Sequence, residues 1–266
     1  MDVADRAAVA EAAARAGAEV AAASFRHDIA VETKADKTDV VTQADRDAQE
    51  RVIEVVHESF PGEPIVGEEG DERKSIPEAG PAWVVDPIDG TANFVRGIRT
   101  WATSVAAVVD GESVAAASIL PAEGDEYVAD RSTARLNGEP VAVSERTDPE
   151  TFVVVPTSWW SFERRAEYAA AFKAIVDRFG DARRNGSAQA TLAMLASGQI
   201  EGVLTNVHTH PWDTVAGVHM VRLAGGTVTD VHGNRWTPDA EGLVASNGTR
   251  HNVVLDAAQS IRRPDR

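Results

Sequence analysis

The chain has 266 residues, 43% of them hydrophobic, with 42 Asp and Glu against 26 Lys and Arg, for a formal net charge of −16. That balance argues against a nucleic-acid surface, since phosphate binding needs clustered cations to displace counterions, and the apolar content is enough for a core. The absence of Cys excludes disulfides, a thiolate nucleophile and Cys metal sites.

The pattern in chain order begins with Ala, Val and Phe at helical spacing over residues 4–24, interrupted by Asp5, Arg6, Glu11, Arg15 and Glu19. These charges rule out the apolar core of a secretory leader, so a cytoplasmic protein is expected. No apolar run approaches the roughly 20 residues of a membrane span. A polar loop follows over 27–39, where Lys34 is either a flap cation over a site or a solvated charge. A second helix is expected over 43–59, stopped by Pro61 and Gly62. Strands are expected at 82–85, 104–109, 113–120 and 126–129, with Asp110-Gly111 as a hairpin turn. From Asn137-Gly138 the reading becomes strand 152–155, helix 162–179, strand 182–184, helix 187–196, strand 202–205, helix 214–223, strands 227–230 and 242–246, and helix 250–261. The expected fold is layered α/β, with halves at 1–136 and 137–266 packed into one unit. Only four basic residues are Lys, and the Arg-rich, acid-rich balance fits either a salt-adapted cytoplasm or a GC-rich genome.

The informative segment runs from Trp83 to Phe94, reading Trp-Val-Val-Asp-Pro-Ile-Asp-Gly-Thr-Ala-Asn-Phe. An apolar strand delivers Asp86, Pro87 is expected to end its ladder, and Asp89-Gly90-Thr91 turns into a helix start. Two carboxylates then emerge three residues apart, followed by the N–H groups of Gly90 and Thr91, which could face an anion. Taken singly, each acid has a plain reading as a turn or first-turn carboxylate. This holds for Glu68 after the short strand Ile65-Val66-Gly67, for Asp213 at a helix start and for Asp45 after Val40-Val41-Thr42.

As a set, Glu68 in Gly-Glu-Glu, the run from Asp86 to Phe94, and Trp212-Asp213 with Ala216-Gly217 resemble the signature motifs of the inositol monophosphatase family. The likeness extends to 34–45 and to Gly186-Ser187-Ala188. The resemblance implies an αβαβα sandwich and, commonly, a homodimer. It implies two or three Mg²⁺ ions on Glu68, Asp86, Asp89, Asp213 and the Ile88 carbonyl. Asp45 and Thr91 would prepare the attacking water, with Glu68 beside them in the catalytic set. Asp89, Gly90, Thr91, Gly186, Ser187, Asn206 and Asp213 would contact a small phosphorylated metabolite. Elementary electrostatics agrees: converging carboxylates repel by about 4 kcal/mol per pair at 4 Å and an effective dielectric of 20. Bound cations or raised pKa values relieve this, and an all-oxygen donor set favours Mg²⁺ over Zn²⁺.

A phosphatase of the aspartyl-phosphate type needs Asp-x-Asp-x-Thr, which the two-residue gap between Asp86 and Asp89 breaks. Other readings are histidinol phosphate or a 3′-phosphoadenosine nucleotide as substrate, or a regulatory partner of the transcription apparatus. Asn206 stands where the animal enzymes carry an inositol-contacting glutamate, which weakens strict inositol selectivity. Arg183 and Arg184 are either surface charges or cations for a second phosphate, as in fructose 1,6-bisphosphate. His208 and His210 read as loop residues near a substrate entrance rather than metal ligands, and Trp159-Trp160 as a core-edge or subunit-contact pair.

Overall fold

The computed structural model describes residues 3–27, 31–33, 40–158 and 160–261, so Lys34 and Trp159 lie outside the described residues. The chain runs α1 (Val3–Ser24), β1 (Val31–Thr33), β2 (Val40–Thr42), α2 (Gln43–Ser59), β3 (Ile65–Gly67), β4 (Pro81–Asp89) and α3 (Thr91–Val95). It continues with β5 (Ala102–Val109), β6 (Glu112–Leu120), β7 (Asp125–Ala129), β8 (Ala134–Leu136), β9 (Glu139–Pro140) and β10 (Val153–Pro156). The remainder is α4 (Arg165–Val176), β11 (Asp181–Ala182), α5 (Ala188–Ala196), β12 (Gly202–Thr205), α6 (Pro211–Leu223), β13 (Thr227–Thr229), β14 (Leu243–Ser246) and α7 (His251–Gln259). No described helix is long and apolar enough to cross a membrane.

The layers follow from the alternation of side chains along strands that are apolar on both faces. β3 to β9 form a seven-stranded sheet in sequence order, and β11-β10-β12-β14-β13 a five-stranded one. In the larger sheet Trp83, Val85, Val105 and Ala107 pack against the alanine face of α1 and against Val52 and Val56 of α2. Their neighbours Val84, Ala106 and Val108 face the other way, onto Leu192 and Leu195 of α5 and Val215 and Val218 of α6. Val203 and Ala245 of the smaller sheet close that layer from beyond, while Val154, Leu204 and Val244 turn outward to Ile175 of α4 and Val254 of α7. The result is the expected αβαβα sandwich.

Three local expectations change. Residues 31–33, read as loop, form β1, which pairs antiparallel with β2. The helix expected over 162–179 opens as a 3₁₀ turn at Phe162–Arg164, becomes α-helical at Arg165 and ends at Val176. Asp110 and Gly111 have φ of 51° and 80°, and Asn137 and Gly138 of 51° and 87°, both consistent with type I′ turns. The first joins β5 to β6 as expected. The second joins β8 to β9, so the seven-stranded sheet continues to Pro140.

The largest correction concerns Pro87. β4 does not stop at Asp86 but runs on to Asp89. Asp86 pairs with Ser104 and Asp89 with Ala102, so three steps on β4 oppose two on β5. This is a bulge, and it accommodates a residue that cannot donate to the ladder. The Thr103 hydroxyl donates to the Pro87 carbonyl at 2.7 Å inside this irregularity, and Thr103 is fully buried. Thr103→Val keeps the shape and leaves that carbonyl unpaired, so the urea unfolding free energy should fall by about 1–3 kcal/mol.

Candidate active site

An odd step along a regular strand puts side chains on opposite faces; the bulge cancels that inversion. Asp86 lies on the Val84 face, toward α6, and the extra residue returns Asp89 to the same side. Asp213 arrives from across the layer on the first turn of α6, where Pro211 occupies an opening position that needs no N–H partner. Asp86, Asp89 and Asp213 each bring a carboxylate oxygen to within 4.8 Å of the others.

Asp86 is 1% exposed, and its Oδ1 has no hydrogen-bond partner. Burial, then the charges of Glu68, Asp89 and Asp213, push its carboxyl well above the usual range. Asp89 is also raised, to about 6, by burial. The Ser187 hydroxyl and the N–H groups of Gln189 (2.7 Å) and Ala188 (3.1 Å) offset part of that rise at the start of α5. A buried carboxyl with an orphaned oxygen beside two others is a set that a hard cation would relieve, and its donors are all oxygen. Among the described residues no His joins such a group: His210 stacks on Trp212 at 4.6 Å, and His208 lies edge-on to His210.

Asp45 is the third residue of α2 and fully buried. The backbone N–H and hydroxyl of Thr42 both donate to its Oδ2, at 2.8 and 2.7 Å. Its Oδ1 receives the Thr91 hydroxyl at 3.1 Å, and the same hydroxyl lies 3.0 Å from the Ile88 carbonyl. Burial raises the Asp45 carboxyl to about 6 against these hydrogen bonds, with Glu68 and Glu69 adding like charge. Glu68 follows β3, within hydrogen-bond reach of Asp86, and its charge also bears on Asp45 and Asp89. It lies outside the three-carboxylate group but acts on two of its members, Asp86 and Asp89.

Several supports had no signal in the sequence. The Gln49 amide on α2 exchanges two hydrogen bonds, both 2.9 Å, with the backbone of Glu69. Lys74 donates to the carbonyls of Gly67 (2.8 Å) and Glu68 (3.0 Å), and its ammonium stands 5.6 Å from the Trp212 ring. Together they fix the acidic loop from both sides. Gly90, at φ 93°, enters α3 where an added Cβ would lie 3.0 Å from the Gly186 carbonyl oxygen, a close approach that requires glycine.

A cavity of about 150 Å³ opens beside the acids, lined by Asp89, Asp213, Gly186, Ser187, Ala188, Pro156, Thr157, Ser158 and Arg184. Of the two cations weighed from sequence, Arg184 reaches this cavity, whereas Arg183 pairs with Asp181 at the surface. Thr157 and Ser158 were not expected; they sit where β10 ends, with Ser158 at φ 64°. Asn206 is absent from the lining. Its amide oxygen accepts from the Trp160 indole at 2.8 Å and its amino group donates to Glu167 at 2.6 Å. Trp160 is 2% exposed and belongs to the core edge.

Residues 2–263 match the sequence model of the inositol monophosphatase family. The chain belongs to that family. It is 33% identical to the fructose-1,6-bisphosphatase/inositol-1-monophosphatase of Thermotoga maritima over 87% of each chain. It is 30% identical to Nus factor SuhB of Pseudomonas aeruginosa over 93% of each. Among solved structures it resembles the Thermotoga maritima IMPase, with a TM-score of 0.87 and 30% identity over 97% of this chain and 98% of that one. As an inositol monophosphatase family member it is a phosphatase of a metal-dependent family, and its acidic cluster could hold the metal.

The raised acids set a pH dependence for the metal-free protein. Asp45 and Asp89 ionise near 6 when folded and near 4 when unfolded. Their contribution is therefore full below about pH 4 and lost as pH rises through about 6. His219 and His251, pushed down by burial, act oppositely, because the unfolded chain takes up their protons as pH falls. The comparison with Asp45→Asn/Asp89→Asn cancels the histidines. Between pH 7.5 and 4.5 in EDTA, wild type should gain on the order of 2 kcal/mol per removed acid relative to this variant, measured by urea unfolding.

Proposed function

We propose that the protein is a Mg²⁺-dependent phosphomonoesterase acting on inositol 1-phosphate and fructose 1,6-bisphosphate by direct attack of water. The observation that carries this reading is the orphaned, buried Asp86 oxygen inside the group formed with Asp89 and Asp213. Glu68, Asp86, Asp89, Asp213 and the Ile88 carbonyl would hold two or three Mg²⁺ ions. When bound, these ions neutralise the carboxylates, lower the pKa of the attacking water and take up charge on the leaving oxygen.

The chain's own residues supply the rest. The Thr91 hydroxyl, directed at Asp45, leaves lone pairs to orient the water. Asp45, ionised above about pH 6, receives a proton relayed through that hydroxyl. The N–H groups of Gly90 and Thr91 at the start of α3 would receive the phosphate, beside the Gly186 and Ser187 wall of the cavity. Asp213 lies on the leaving-group side.

Substrate breadth is supported by Arg184 in the cavity wall, which gives a second phosphate a guanidinium partner. Asn206, whose amide is engaged at both ends by Trp160 and Glu167 and which does not line the cavity, adds nothing to this selection. The likeness to Nus factor SuhB is the one feature favouring a regulatory role in transcription. That role alone leaves a costly buried cluster of acids without a use.

Two measurements test this reading. Phosphate release from p-nitrophenyl phosphate should require Mg²⁺, and Asp86→Asn or Asp213→Asn should each lower kcat by at least about 10²-fold at saturating Mg²⁺. Unchanged turnover in Asp213→Asn overturns its role. Arg184→Ala should reduce kcat/KM for fructose 1,6-bisphosphate by about 10- to 100-fold while changing inositol 1-phosphate less than about threefold. Equal losses on both substrates would remove Arg184 from substrate selection.

A further inference from the structure

The buried amide of Gln189 is not used by any step above. Gln189 is 1% exposed at the second position of α5. Its backbone N–H donates to Asp89 Oδ2 at 2.7 Å. Its side chain crosses to α6, where Nε2 donates to the Trp212 carbonyl and Oε1 accepts the Gly217 N–H at 2.8 Å. Asp213 lies between those two anchor points. One residue therefore grips both the carboxylate delivered by β4 and the helical turn that carries the carboxylate from α6.

The helices can cross closely enough for this only because residue 217 is glycine. A Cβ there would stand 2.4 Å from Leu192 Cβ and 3.0 Å from the Gln189 amide oxygen. At that depth an unpaired amide is costly, so both bonds resist sliding or rotation of α6 against α5. Leu192 and Val215 pack in the same layer, and the two amide bonds add to that packing a directional constraint tied to named backbone groups of α6.

We infer that Gln189 is a positioning residue that sets the spacing between the Asp89 and Asp213 carboxylates, and through it the preference of the centre for a small divalent cation. This rests on the metal-centre reading above. Mg²⁺ demands near-ideal octahedral geometry with ligand distances of about 2.0–2.1 Å, whereas Ca²⁺ accepts about 2.3–2.6 Å and irregular coordination. Loosening the spacing should therefore harm Mg²⁺ far more than Ca²⁺, a selectivity that loss of packing alone does not produce.

The test is calorimetric titration of the full chain, stripped of metal, with MgCl₂ and separately with CaCl₂, for wild type and Gln189→Met, which keeps the length and removes the hydrogen bonds. Mg²⁺ affinity should weaken by at least about tenfold and Ca²⁺ affinity by less than about threefold. Equal weakening of both ions, or no change in either, overturns the inference. Gln189→Ala is titrated in parallel, so the test survives if Met is not accommodated; a cooperative melt of the metal-free variant establishes folding. Wild type that binds no Mg²⁺ overturns the metal-centre reading itself, an outcome distinct from a variant that binds as wild type does.

Discussion

The site depends on one irregularity in the pairing of two strands. Between Asp86 and Asp89 β4 advances three residues while β5 advances two, so both acids leave the same face of the sheet. In regular pairing Asp89 would point toward the α1 and α2 layer, away from α6. The residue at the bulge is a proline, which donates no hydrogen bond to the ladder, and Thr103 satisfies the carbonyl that the bulge displaces. The placement of Asp89 beside Asp86 and within reach of Asp213 is built on this step.

Bringing the acids together raises the free energy of the fold, and the structure distributes the cost differently at each carboxyl. Asp89 is given the N–H groups and hydroxyl at the start of α5, and Asp45 the two donors of Thr42, so both stay near 6 despite deep burial. Asp86 receives no such donor on Oδ1, and burial with the charges of Glu68, Asp89 and Asp213 holds its carboxyl well above the usual range. That electrostatic cost is offset by the apolar layers on either side of the larger sheet.

The cavity beside the acids is assembled from a different set of elements. Arg184 and Ser187 come from the approach to α5, Thr157 and Ser158 from the end of β10, and Asp213 from α6. The cavity therefore lies between the two sheets, with the acids supplied mainly from the seven-stranded one. Asn206 is tied into a network with Trp160, Glu167 and Arg164, so the network holds its amide orientation. A carboxylate at 206 could not donate to Glu167 and would repel it, so the neighbouring charge makes the amide the compatible choice.

The sequence by itself determined the layered α/β class, most helices and strands, and the chemical identity of the acids, because periodicity and turn chemistry are local properties. α2 and β12 have the expected bounds, and Asp110-Gly111 forms the expected hairpin. The motif residues were legible as a set, since Asp86, Ile88, Asp89 and Thr91 lie within one short segment. Tertiary structure alone decided that β4 passes through Pro87, that 31–33 pair with 40–42, and that Asn206 turns its amide to Trp160 and Glu167. It also decided that Arg184 rather than Arg183 reaches the cavity, and that Gln49, Lys74 and Gln189 support the acids. Each of these depends on a partner far away in the chain: a bulge is defined by the opposite strand, and a buried amide by the backbone groups across a helix crossing. Local sequence carries no record of such partners, because the bonds exist only once the layers are packed.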